Sequence, residues 1–142
     1  MRFYHTFTRA KLLGILSALL LVLLLTGQTA SFAKTERNAA THALRISYIK
    51  RLGYLVDEES ATCKQVRIPE EFSAVYERYN ALQKAAGFDL SNYGGCEVTV
   101  YSYPLADNEY RVVNLMVYEG SVIGGDVSDT ALQGQMLPLA LD

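Results

Sequence analysis

CEVTVYSYPLADNEYRVVNLMVYEGSVIGGD, residues 96–126, decides the fold. Two alternations run through it. Cys96, Val98 and Val100 share one side of an extended chain, with Glu97 and Thr99 on the other. Further on, Val113, Leu115 and Val117 fall together, opposite Val112, Asn114, Met116 and Tyr118. The stretch reads as three strands, Cys96–Tyr103, Tyr110–Tyr118 and Ser121–Ile123. The second strand's other side is only partly polar, which places it centrally or under cover on both sides. Glu119-Gly120 fits a two-residue hairpin loop, since glycine takes positive φ at little steric cost. Pro104 to Asn108 supplies the other connection. Gly124-Gly125 is expected to end regular pairing or to let another backbone come close.

Working outward, Thr62–Ile68 also alternates and reads as a further strand. Asn38 is placed to cap a first helix, 39–52, whose stripe is Ala40, Leu44, Tyr48 and Leu52, widened by Ala43 and Ile49. Lys50 and Arg51 favour its C-terminal dipole and Gly53 ends it. Pro69-Glu70-Glu71 opens a second helix, 70–86, with Phe72, Val75, Tyr76, Tyr79 and Leu82 at helical spacing and Gly87 closing it. After the sheet, Ser128 or Asp129 is placed to cap a short helical turn within 126–135, and the apolar stretch 136–142 packs back or frays. The predicted class is α+β: an antiparallel sheet, made of the 96–126 meander and strand 62–68, packed by two amphipathic helices.

The N-terminus has its own logic. Arg2, Arg9 and Lys11 precede Leu12–Leu25, an uncharged run of fourteen residues. As a helix that run spans about 21 Å, short of a ~30 Å hydrocarbon core. Ser31-Phe32-Ala33 then sets small residues at a cleavage site before Lys34. Residues 1–33 read as a secretory signal peptide and 34–142 as one domain, secreted or extracytoplasmic. An uncleaved N-terminal membrane anchor is the alternative.

Residues 1–33 carry three of the 13 Lys and Arg and none of the 15 Asp and Glu, which leaves the exported part at a net charge of −5. That balance argues against nucleic acid or anionic lipid as a partner held by bulk electrostatics. Cys63 and Cys96 are the two cysteines of the chain. An oxidising compartment permits a disulfide between them, closing a loop of about 33 residues, and two free half-buried thiols are the other reading. No Cys-x-x-Cys redox spacing occurs.

The titratable groups limit the chemistry. One histidine, His42, remains after residue 33, which excludes a multi-histidine zinc site. No nucleophile elbow and no phosphate-cradling loop is present, so no catalytic residue, metal or cofactor is expected. Carboxylates are what is left. Asp126 with Asp129, or Asp107 with Glu109, would have to pair for acid–base work.

The runs IPEEFSAVYERYNALQKAAGFDL (68–90) and VYEGSVIGGDVSDTALQG (117–134), with Arg45–Val56 upstream, resemble a bacterial extracytoplasmic family known only as domain of unknown function 4830. Tyr54 stands where that family often has tryptophan. The resemblance covers roughly residues 45–134. It implies an exported or envelope-facing domain and brings no catalytic residue with it.

Two functions follow as expectations. The first is an exported, non-catalytic binding or regulatory module of the cell envelope, engaging a protein or peptide through loops or a strand edge. Its candidate binding residues are Gly124, Gly125, Asp126, Ser128 and Asp129, at the glycine-rich end of the third strand. The second is a small carboxylate-dependent envelope hydrolase, which requires Asp126 and a second acid to face each other in a cleft.

Overall fold

A computed structural model describes residues 36–131 and 134–139, and the signal segment expected over residues 1–33 lies outside them. Among the described residues no helix is long and apolar enough to cross a membrane. Five strands form one antiparallel sheet in sequence order: β1 Thr62–Arg67, β2 Glu97–Leu105, β3 Asn108–Tyr118, β4 Ser121–Asp129 and β5 Met136–Pro138. Helices α1, His42–Arg51, and α2, Ala74–Ala85, complete an α+β fold.

Register assigns each helix a face. Tyr103 pairs with Val113 and Leu115 with Gly125, so Tyr103, Leu105, Val113, Leu115 and Val127 share one side. There they bury against Ile46, Tyr48 and Ile49 of α1. Val100 pairs with Met116 on the other side, where Val98, Val100, Met116 and Ile123 pack with Tyr76 and Tyr79 of α2. β3 is thus covered on both sides, as its sequence implies. The β3–β4 hairpin turns at Glu119 and Gly120 with φ 46° and 76°, the doubly left-handed geometry of a two-residue turn that matches strand twist.

Several elements differ from the sequence expectation. α1 starts later because Thr41, not Asn38, accepts the N–H of Leu44. Asn38 instead accepts the N–H of Ala40 and forms a bridge to Ser121 of β4. α2 starts at Ala74, where the Ser73 hydroxyl accepts the N–H of Tyr76. Its deepest residues are the polar Asn80 and Gln83, whereas Val75 is 70 % exposed. Gly124-Gly125 does not end the third strand. β4 runs through both glycines to Asp129, the turn of helix expected over 126–135 is absent from its described part, and Met136–Pro138 pairs back on β4 as β5.

Candidate functional site

The candidate binding residues lie inside the sheet. Gly124, Gly125 and Asp126 are buried, and Ser128 and Asp129 half-buried. An ideal Cβ on Gly125 would stand 2.3 Å from both the Asn114 carbonyl oxygen and Leu139 Cδ1, so glycine is required by what touches it. Neither glycine has positive φ.

The outer edge of β4 is closed along its length. Near its start, the N–H of Val122 donates to Arg37 O at 2.8 Å, and that of Ala39 to Gly120 O at 2.8 Å. In the middle, Gly125 N–H donates to Gln83 Oε1 at 2.7 Å, so a helix side chain stands where a neighbouring strand's carbonyl would be. Beyond it, β5 pairs Pro138 with Asp126, Leu137 with Val127 and Met136 with Ser128, and Asp129 N–H reaches Gln135 O at 3.0 Å. The glycine-rich end therefore offers no free backbone for strand addition, which corrects the sequence reading. The reason is three separate covers, two of them distant in sequence.

β1 is the opposite case. Among the described residues it pairs with β2 alone. Ile68 N–H donates to Cys96 O at 3.0 Å, so by antiparallel alternation Lys64 and Val66 face β2, while Cys63, Gln65 and Arg67 turn their N–H and C=O groups outward. Among the described residues no backbone hydrogen bond closes that side. Its side chains are exposed apart from Val66; of its two cations, Arg67 has Glu97 opposite it in register and donates its Nε–H to Gly95 O at 2.9 Å, whereas Lys64 stands opposite Val100.

A polar row crosses the α2 face. Ser102 Oγ donates to Asn114 Oδ1 at 2.7 Å; Asn114 Nδ2 donates to Asp126 Oδ2 at 3.0 Å and to Ser128 Oγ at 2.8 Å. Tyr79 Oη donates to Asp126 Oδ1 at 2.9 Å, and Asp126 is 3 % exposed. Burial, helped by the adjacent carboxylate, holds the Tyr79 phenol well above its ordinary pKa. Gln83 Nε2 is buried without a partner among the described residues. At the end of α2, Asn80 Oδ1 accepts Leu90 N–H at 2.8 Å while its Nδ2 donates to Asp89 at 2.9 Å. Hydrogen bonds from Ser91 and Asn80 hold the Asp89 carboxyl well below its usual range. These polar residues carried no signal in the binary pattern, which scores Asn and Gln on a helix as solvent-facing.

On the α1 side Arg45 is the counterpart. Its Nε donates to Tyr103 Oη at 2.9 Å, its Nη1 to Ala39 O at 3.0 Å, and its guanidinium lies 3.6 Å from the Tyr101 ring centroid.

The matching family model, described as domain of unknown function (DUF4830), spans residues 48–127. The chain belongs to that family. No curated protein and no solved structure matches it. The DUF4830 match takes in β1, α2, the polar row as far as Asp126 and both glycines, and stops short of Ser128, Asp129 and β5.

The remaining sequence candidates are placed as follows. Asp126 faces α2 and Asp129 projects to the α1 side, since residues three apart on a strand point oppositely, so the two carboxylates cannot converge. Asp107 and Glu109 are exposed at the β2–β3 hairpin. His42 is exposed at the start of α1, its ring 5.9 Å from that of Tyr103. Cys63 and Cys96 are free thiols. Cys63 stands opposite Tyr101, five residues along the chain from Cys96, so about 16 Å separates them and, of the two readings, the disulfide is the one that does not form. Among the described residues no cluster of three metal-ligating side chains exists.

Proposed function

We propose that this chain is an exported, non-catalytic binding module of the cell envelope that takes an extended peptide strand on the outer edge of β1. The open backbone at Cys63, Gln65 and Arg67, beside a β4 edge that is closed throughout, carries this reading. Strand addition draws affinity from main-chain hydrogen bonds and selectivity from alternate side chains. Lys64, opposite Val100 and with no acid in β1, favours an acidic residue in the segment. The leader read from residues 1–33 supports export, and the opposed directions of Asp126 and Asp129 favour binding over a two-carboxylate hydrolysis.

The experiment is a titration of the full chain, labelled for backbone NMR, with a Thr-Glu-Val-Glu-Val-Thr peptide blocked at both ends. Saturable shifts confined to β1 and its neighbours are expected, with loss of binding in Gln65→Pro, which removes one outward N–H and leaves the β1–β2 ladder intact. Undiminished binding by Gln65→Pro, or shifts elsewhere, would discard the edge as the site.

A further inference from the structure

Among the described residues the α1 face is not covered to its end. Past Tyr103 and Val113, Arg111 and Asp129 pair across β3 and β4; Leu105, shifted out of register at the end of β2, lines the same cavity as Arg111, and Leu137 of β5, opposite Val127, borders the pair on the other side. On the far side of β2 the loop after α1 adds a further extended piece, with Ala106 N–H donating to Leu55 O at 2.9 Å. Two cavities open here and share one wall, Arg111. One of about 340 Å³ is lined by Tyr54, Leu55, Leu105 and Ala106; the other, of about 260 Å³, by Val127, Leu137 and Gln135. Asp107 lines the first and Asp129 the second.

Arg111 is half-buried, and among the described residues it makes no ion pair and no side-chain hydrogen bond. Its cross-strand partner in register is Asp129, whose Oδ1 accepts the N–H of Ala131 at 2.8 Å instead. Opposite charges across an antiparallel pair attract modestly, and here that pair is not made. The outer walls of the two cavities are apolar and wet: Leu55 is 67 % exposed and Leu137 42 %. Each lies about two strand spacings, ~10 Å, from Arg111.

We propose that this trough binds an extended polypeptide segment whose alternate residues read apolar, acidic, apolar. The acidic side chain pairs with the Arg111 guanidinium, whose planar fork matches a carboxylate. Alternate residues of an extended chain are ~6.8 Å apart, which sets the two flanking apolar side chains over the cavities on either side. Asp107 and Asp129 disfavour further acids, so a single carboxylate between apolar groups is selected over an acidic run. The site is distinct from the β1 edge and stands or falls without it.

A blocked Leu-Ser-Glu-Ser-Leu peptide, its Leu-Ser-Gln-Ser-Leu analogue and free decanoate are titrated separately into the full chain, read by backbone NMR. The expected result is saturable shifts at Leu55, Arg111 and Leu137 with the Glu peptide, and roughly tenfold weaker binding of the Gln analogue. Arg111→Gln should show the same loss with the Glu peptide, and Leu137→Ser a smaller one. Equal affinity of the two peptides, decanoate as the better ligand, shifts centred on Cys63–Arg67, or no saturation at millimolar peptide would each overturn the proposal. Should Arg111→Gln fail to fold, the paired peptides on the unaltered protein decide the matter.

Discussion

The outer edges of β4 and β1 are finished in opposite ways. β4 has three covers, Arg37–Ala39, the Gln83 amide and β5, and Gly124 and Gly125 leave the room that Gln83 and Leu139 fill. β1 has none among the described residues, and its sequence, TCKQVR, is the polar, basic composition that keeps an exposed edge soluble. Glycine richness is therefore a poor guide to an open edge. Here it marks a buried contact, while the edge left open is the one whose letters look least remarkable.

Four consequences test that contrast, in falling order of size. Gly125→Ala is expected to destabilise most, by about 3 kcal/mol, because its Cβ meets a backbone carbonyl that cannot yield. Denaturant unfolding checks this, and a change within 0.5 kcal/mol would show β4 to be less tightly enclosed. Gln83→Met keeps the volume and removes the acceptor, leaving Gly125 N–H buried and unpaired at a cost of about 2 kcal/mol. Loss of the unpartnered Nε2 offsets part of it, so Gln83→Ala, which adds a cavity, should fall lower in the same assay.

Tyr79→Phe removes a donor to the buried Asp126, at about 1.5 kcal/mol near neutral pH. The phenol's folded-state pKa is raised, so its contribution is whole below the ordinary value of 10.0 and is lost as pH climbs past it, when the unfolded chain ionises first. Stability measured between pH 8 and 11 should fall in the parent and fall less in Tyr79→Phe; parallel curves would show that Tyr79 is not the group responsible. The smallest effect is expected at the open edge. Gln65→Pro should change stability by no more than about 0.5 kcal/mol, since its N–H faces outward, and a large loss would mean the edge is covered.

Much of this architecture was legible from residues 96–118, where apolar alternation and pleat geometry say the same thing. The Glu119-Gly120 turn was legible from Gly120, which takes positive φ freely, although Glu119 also adopts φ 46°, a conformation its side chain does not favour. The second half of β4 was not. Gly124-Gly125-Asp126 reads as a break, and only the approach of Leu139 and Gln83 shows why small residues continue a strand there. Helix phase is not legible where polar side chains are the buried ones: Arg45 is held by Tyr103 and the Tyr101 ring, Asn80 by the Leu90 N–H 10 residues on, and Gln83 by the Gly125 N–H 42 residues on, partners that no local period encodes. Gly124 and Gly125 stand out in the sequence, and what surrounds them is a packing reason for glycine. Arg111 gave no local signal, since its meaning depends on a register partner that turns elsewhere.

Residue-resolved amide hydrogen exchange of the full chain tests the contrast between the edges most directly. Gly125, Lys64 and Val66 should exchange slowly, and Cys63, Gln65 and Arg67 at rates close to those of an unprotected strand. Strong protection at Cys63, Gln65 and Arg67 in the free protein, or rapid exchange at Gly125, would contradict the account.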